Sequence, residues 1–167
     1  VRLVGTPLDR GIIENGKETG FHSTVKRELP EGVRFGQFGE LEDALEGADL
    51  LIGGVSSMGV DWFMDSVIPH VPAALPVLSV TKGMVNTREG EFIAIPELYA
   101  RRFPDSGIRF NAIGGPCTSY ELASRDQTQV CFCGPDMAFL RRFKAMVNTD
   151  FYFLSLSDDI RGCELHF

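Results

Sequence analysis

The chain has 167 residues, 44% hydrophobic and 23% charged, the length and mix of a globular domain with room for a full core. Sixteen basic residues against 23 acidic ones leave a net charge of −7, which argues against nucleic acid as a partner, although a few lysines and backbone amides can still hold a small anion. No apolar run reaches the roughly 18 residues that span a bilayer, and the glycines and prolines are scattered, so a membrane, collagen-like or low-complexity chain is excluded as an expectation.

The chain opens inside an apolar run, Val1-Arg2-Leu3-Val4, which reads as a strand with no polar lead-in. Leu8 to Glu18 reads as a helix weakened by Gly11 and Gly16, and Leu41 to Glu46 as a short helix ended by Gly47. Asp49 to Val55 is nearly all apolar, the pattern of a strand covered on both faces. Ser56 or Ser57 then caps a helix carrying Trp62, Phe63, Val67 and Ile68, which Pro69 and Pro72 stop.

Leu75 to Val80 predicts the next strand, with Pro76 tolerable near its start, and runs straight into Thr81-Lys82-Gly83. A loop leads to a helix from Ile95 to Phe103 with Pro96 in its first turn. The strand Ile108 to Ile113 ends in Gly114-Gly115-Pro116. Two further units follow: strand Thr128 to Cys133 with helix Asp136 to Met146, then strand Phe151 to Leu156 with a helix cap at Ser157, where Asp158 and Asp159 suit a helix N-terminus. Strands alternating with helices predict an α/β fold, a doubly wound and mostly parallel sheet with right-handed crossovers. No repeat or linker divides residues 1–167, which are read as one domain.

The cysteines Cys117, Cys131, Cys133 and Cys163 form no C-x-x-C pair, and Cys131 and Cys133 share one face of a strand. Buried reduced thiols are expected there in place of zinc or disulfides. With no signal-type segment at the start, a reducing cytoplasm is the expected location. His22, His70 and His166 show no metal spacing, and no G-x-S-x-G, H-E-x-x-H or P-loop pattern is present.

Three successive strands end in small or functional residues: Val55-Ser56-Ser57, Thr81-Lys82-Gly83 and Gly114-Gly115-Pro116. In a parallel sheet these ends share one edge, the edge where open α/β folds bind ligands. Lys82 there can meet a phosphate or polarise a carbonyl oxygen, or simply face solvent, while Gly83 lets the chain turn away. Gly114-Gly115-Pro116 either presents the amides of a following helix to an anion or forms a plain tight turn. Ser56 and Ser57 are read as a helix cap.

The ordered set A-D-L-L-I-G-G-V-S-S (Ala48 to Ser57), L-S-V-T-K-G (Leu78 to Gly83), I-G-G-P (Ile113 to Pro116) with Glu121-Leu122, and S-D-D-I-R-G-C-E-L (Ser157 to Leu165) resembles the NAD(P)-dependent glycerol-3-phosphate dehydrogenases over nearly the whole chain. That resemblance implies a Rossmann-like dinucleotide-binding domain and hydride transfer between NAD(P)H and dihydroxyacetone phosphate, giving sn-glycerol 3-phosphate for phospholipid biosynthesis. It implies that Lys82 contacts substrate and cofactor and stabilises charge near the transferred hydride. Gly115 and Cys117 would line the glycerol phosphate site, Ser119 would lie near the cofactor, and Thr6 would sit by the adenosine ribose.

Cys117 stands where the family usually has Ser or Thr, and the lost hydroxyl implies weaker phosphate binding; His166-Phe167 stands where the family has small residues. The resemblance also implies that the family's opening strand with G-x-G-x-x-G precedes Val1, and that its general acid/base lysine and helical domain follow Phe167. Residues 1–167 are accordingly expected to be a partial NAD(P)-binding domain that binds cofactor poorly by itself. Asp9 would favour a ribose hydroxyl and Arg10 a 2′-phosphate, which leaves NAD and NADP both open. The expected partners are a small phosphorylated substrate and, as an open possibility, a second copy in a homodimer, with no nucleic acid and no membrane. Two rivals remain: a dehydrogenase of another substrate on the same sheet, and a non-catalytic binding domain derived from it.

Overall fold

Apolar runs bounded by turn residues do become strands, but they gather into two compact units, Val1–Ala48 and the stretch from Asp49 onward, in the computed structural model, which describes residues 1–166. The first unit contains β1 (Arg2–Val4), α1 (Arg10–Thr19), β2 (Phe21–His22), β3 (Arg27–Glu28), β4 (Arg34–Gly36) and α2 (Leu41–Leu45). β1 and β4 pair in parallel with Leu3 opposite Phe35, and β2 and β3 form a small antiparallel hairpin. Gly16, a weak point for helix propensity, is the contact surface of α1: the Phe35 ring packs so close that any Cβ would run into it. Ile13 on the same helix is buried.

The second unit carries β5 (Leu51–Gly53), α3 (Val60–Ser66), β6 (Pro76–Ser79), β7 (Met84–Asn86), β8 (Phe92–Ala94), α4 (Ile95–Arg102), β9 (Arg109–Gly114), α5 (Ser119–Ser124), β10 (Thr128–Cys133), α6 (Met137–Val147), β11 (Tyr152–Ser157) and α7 (Ile160–His166). Its five-stranded sheet has the order β11-β10-β9-β6-β5. β5, β6 and β9 are parallel neighbours, and Gly53, Ser79 and Ala112 lie side by side across them. Val77 and Leu78 of β6 and Ala112 of β9 are fully buried, as central strands of a covered sheet should be. Tyr99 of α4, 1% exposed, packs its ring between those of Phe63 and Phe110, tilted against both with centroids 5.6 Å from each. Burial raises its hydroxyl to about 12, against the pull of a hydrogen bond with Ser79 of β6.

Four local readings need correction. β5 is the sheet's edge and is covered on one face only: Gly53 lies against the Phe63 ring of α3, whereas Ile52, pointing the other way, is 53% exposed. β10 runs antiparallel to β9, with Cys131 opposite Gly114, within an otherwise parallel sheet. Between them α5 has six residues, about 9 Å of helix, too short to return along a six-residue strand of about 20 Å, so the chain re-enters the sheet from the edge it left. The segment read as a loop before α4 contains the hairpin β7-β8, closed around Gly90. Ser56 takes the cap position of a 3-10 turn, Ser57–Gly59, without a side-chain hydrogen bond to it.

Cys131, Cys133 and Cys163 are buried free thiols packed with Ala112, and Cys163 Sγ lies 3.4 Å from Cys131 Sγ. Burial pushes the Cys133 thiol far up, which suits a packing role. Among the described residues no group of three His, Cys, Asp or Glu side chains is placed to hold a metal, and no helix is long and apolar enough to cross a membrane.

Candidate functional site

The ends of β5, β6 and β9 lie together on one edge of the sheet, as the sequence pattern predicts. Val80 N donates to Gly53 O at 3.0 Å and Thr81 Oγ1 to Val55 O at 2.5 Å, so the first two ends are tied by backbone and side chain. β6 is buried through Ser79 and burial alternates only beyond its end: Thr81 is buried, whereas Val80 and Lys82 are exposed. Lys82 then donates from Nζ to the carbonyl oxygen of Gly115, at the end of the neighbouring strand.

Lys82, Gly83, Gly114, Gly115 and Glu164 line a cleft of about 260 Å3. Glu164 enters from α7, where Ile160, Cys163 and Glu164 share one face and the acid is only 9% exposed. Its Oε2 accepts the Gly83 amide at 2.8 Å, while Oε1 is buried with no hydrogen-bond partner. Burial pushes the Glu164 carboxyl up, against the pull of the Gly83 amide and the Lys82 ammonium. α7 is also fixed by Arg161, whose Nε donates to both carboxylate oxygens of Glu97, at 2.7 and 2.9 Å.

The structure therefore brings Lys82 and Gly115 together. Cys117, two residues beyond Gly115, is half-buried against the core cluster of Phe132 and Leu140. Burial raises its thiol while the charge of Lys82 lowers it, so the ammonium is felt there. Ser119, the first residue of α5, is exposed and is not among the residues lining the cleft. The helix it begins already satisfies its own first turn: Thr118 N donates to Glu121 Oε2 at 3.0 Å and Glu121 N to Thr118 Oγ1 at 3.2 Å.

Thr6 belongs to the first unit, where it caps the 3-10 turn Pro7–Asp9. Asp9 Oδ2 accepts from Thr6 N at 2.9 Å and from Thr6 Oγ1 at 2.6 Å. A larger groove of that unit, about 390 Å3, is walled by turn residues and by Lys17, which pairs with Glu40 at 2.7 Å. It has no counterpart to the converging strand ends.

Glu164 is the site residue that the sequence pattern conceals. Within Ser157 to Leu165 it reads as one more surface acid, yet its spacing from Ile160 and Cys163 puts a carboxylate on the buried face of a helix, and that conflict is the signal. Chemically, the cleft offers an ammonium, three glycine backbones that admit close approach, and one carboxylate oxygen in need of a donor. That set suits a small ligand with an anionic or carbonyl acceptor at one end and a neutral N–H or O–H donor at the other.

Comparison with known proteins gives the family and the fold. The family described as NAD-dependent glycerol-3-phosphate dehydrogenase N-terminus matches residues 15–140. The chain is 29% identical over 165 residues to the NADP(+)-dependent glycerol-3-phosphate dehydrogenase of Archaeoglobus fulgidus, covering 99% of the chain and 48% of that protein. It is 23% identical to the glycerol-3-phosphate dehydrogenase [NAD(P)+] of Carboxydothermus hydrogenoformans, covering 94% and 46%. The chain thus spans about half the length of the curated relatives it matches. Among solved structures, the glycerol-3-phosphate dehydrogenase of Coxiella burnetii superposes with a TM-score of 0.81 at 20% identity, over 99% of this chain and 48% of that one. The Dunaliella salina structure gives 0.77 at 19% identity, over 93% and 26%. At such identities the structural likeness concerns the fold, a Rossmann-like α/β sheet.

Proposed function

The chain belongs to the NAD-dependent glycerol-3-phosphate dehydrogenase N-terminal family, and from that premise we propose that residues 1–167 are part of the NAD(P)-binding domain of an enzyme that reduces dihydroxyacetone phosphate to sn-glycerol 3-phosphate. The observation that carries this reading is the cleft in which Lys82, from the end of β6, reaches the end of β9 at Gly115.

Bound NAD(P)H supplies the hydride. The residues present fit the nicotinamide end of such a cofactor, because Glu164 Oε1 is an acceptor without a partner and the Gly83 and Gly115 backbones leave room beside it. The sequence contains no G-x-G pair, so these residues do not provide the pyrophosphate cradle of a dinucleotide fold. Lys82 is the catalytic residue of this chain: its ammonium, turned from Gly115 O toward the substrate carbonyl, stabilises the negative charge that builds on that oxygen as hydride arrives. Gly115 forms a wall of the substrate site, and Cys117 lies where the field of Lys82 extends toward the phosphate. Ser119 and Thr6 are assigned to the cofactor, Thr6 at the adenosine ribose, and either NAD or NADP satisfies the reading. The same reading makes the product a precursor for phospholipid synthesis, takes the cytoplasm as the location, and keeps a small phosphorylated substrate as the partner, with neither nucleic acid nor membrane. A homodimer is the assembly that the resemblance leaves for test.

Reduction rates with dihydroxyacetone phosphate and with dihydroxyacetone test the proposal in the protein that carries this chain. A charge-assisted hydrogen bond of about 1.5–3 kcal/mol to the phosphate, which dihydroxyacetone lacks, predicts kcat/KM about ten- to a hundredfold higher for the phosphorylated ketone. Equal rates would point to a dehydrogenase of another substrate, and absence of both turnover and NAD(P)H binding to a non-catalytic domain.

A further inference from the structure

Hydride transfer as described uses Glu164 only through its surroundings, yet it is the most deeply placed ionisable group of the cleft. It is 9% exposed, and Oε2 is committed to the Gly83 amide at 2.8 Å. Oε1 is buried and unpartnered. Carboxylate oxygens withdrawn from water without a donor are strongly unfavourable and are rare in folded proteins unless a ligand or water completes them. The groups whose charge or titration couples to Glu164 are Lys82 on the strand-end turn and the thiol of Cys133 on β10. Lys82 directs its donor to Gly115 O, and Cys133 directs its own to Ala112 O at 3.6 Å. Neither completes Oε1.

We propose that Glu164 Oε1 is a cofactor-binding acceptor that takes a hydrogen bond from the carboxamide N–H of the nicotinamide ring. This assignment rests on the function proposed above. A phosphorylated ketone is an anion and is repelled by a carboxylate, which directs it to the Lys82 and Gly115 side of the cleft. The carboxamide is neutral and presents two N–H donors, and the oxidised ring it is attached to is positively charged. Both features match an acid whose second oxygen is already fixed by backbone. Through Oε2, the same side chain holds the turn that carries Lys82, so one residue would position the ring and the ammonium together.

The test is equilibrium binding, read by fluorescence or calorimetry without turnover, in the protein that carries this chain. NADH or NADPH is compared with its 3-acetylpyridine analogue, in which a methyl group replaces the carboxamide NH2, for wild type and Glu164→Gln. The glutamine keeps an oxygen for Gly83 N–H and places an NH2 donor where Oε1 was. The wild type is expected to bind the carboxamide cofactor about tenfold more tightly than the analogue, the effect of one hydrogen bond to a charged acceptor. Glu164→Gln is expected to bind the two within about twofold, with affinity for the analogue unchanged, which also shows that the variant is folded. Tenfold discrimination that survives in Glu164→Gln, or a wild type that does not discriminate, overturns the acceptor role alone. Failure of the wild type to bind either dinucleotide overturns the dehydrogenase reading, and this role with it.

Discussion

Gly83 and Gly115 end neighbouring strands with the same backbone angle, φ +110°, but they are held in place by different means. Behind Gly115 stands β10: a Cβ at that position would lie 3.2 Å from Val130 Cα and 3.3 Å from Gln129 O. Around Gly83 there is open space, with nothing within 4 Å of where a Cβ would stand, and a hydrogen bond from its amide to buried Glu164 secures the turn. One wall of the cleft is therefore set by packing and the other by an acid. Lys82 connects them, since it precedes the open glycine and donates to the carbonyl of the hemmed-in one. In the proposed function, the packed wall would bound the pocket while the wall held by Glu164 carries the ammonium that would exchange Gly115 O for a ligand.

The largest expected effect of breaking this contrast is at the packed wall. Gly115→Ala combines left-handed strain with a clash against β10 backbone, and is expected to cost about 2–4 kcal/mol in urea unfolding. Gly83→Ala carries the strain alone and should cost about 1–2 kcal/mol. Equal losses at the two positions would contradict the contrast.

A smaller effect should come from the acid that secures the other wall. Burial raises the Glu164 carboxyl above its unfolded value, so its contribution to stability is fully present below the unfolded value and is lost as pH rises through the raised one. Glu164→Gln removes that titration, and its Tm relative to wild type should therefore rise with pH. The increment measured by thermal melts should be larger at pH 7.5 than at pH 4.5. Glu97 and Asp136, held low by hydrogen bonds and arginine neighbours, and Glu121, held low by its hydrogen bonds to Thr118, lose stability as pH falls in both proteins and cancel in the comparison. An increment that stays flat with pH would show that Glu164 carries no burial penalty.

Much of this site is legible in the sequence because Lys82 and Gly115 lie where apolar runs stop. Strand ends are marked by a change from buried to small or charged residues, and three such changes in a row are enough to align them. The direction of β10 is not legible, since burial alternates with period two in parallel and antiparallel strands alike, and only the shortness of α5 decides it. β7 and β8 are three residues each, too short to show a period before they pair. Arg27 and Glu28 of β3 are both exposed and carry no apolar alternation. Exposure of Ile52 depends on which face α3 covers, a tertiary fact that its all-apolar neighbours conceal. Glu164 escapes detection because an acid near two aspartates and an arginine looks solvent-facing until helix spacing places it beside Ile160 and Cys163.

The central claim is that the Lys82 ammonium stabilises charge on the reacting carbonyl, and the most direct measurement is kcat/KM for dihydroxyacetone phosphate reduction by Lys82→Ala in the protein that carries this chain. Loss of a donor aimed at developing negative charge predicts a fall of about 10²–10³-fold, with NAD(P)H affinity changed far less. Turnover within a few-fold of wild type would contradict the account.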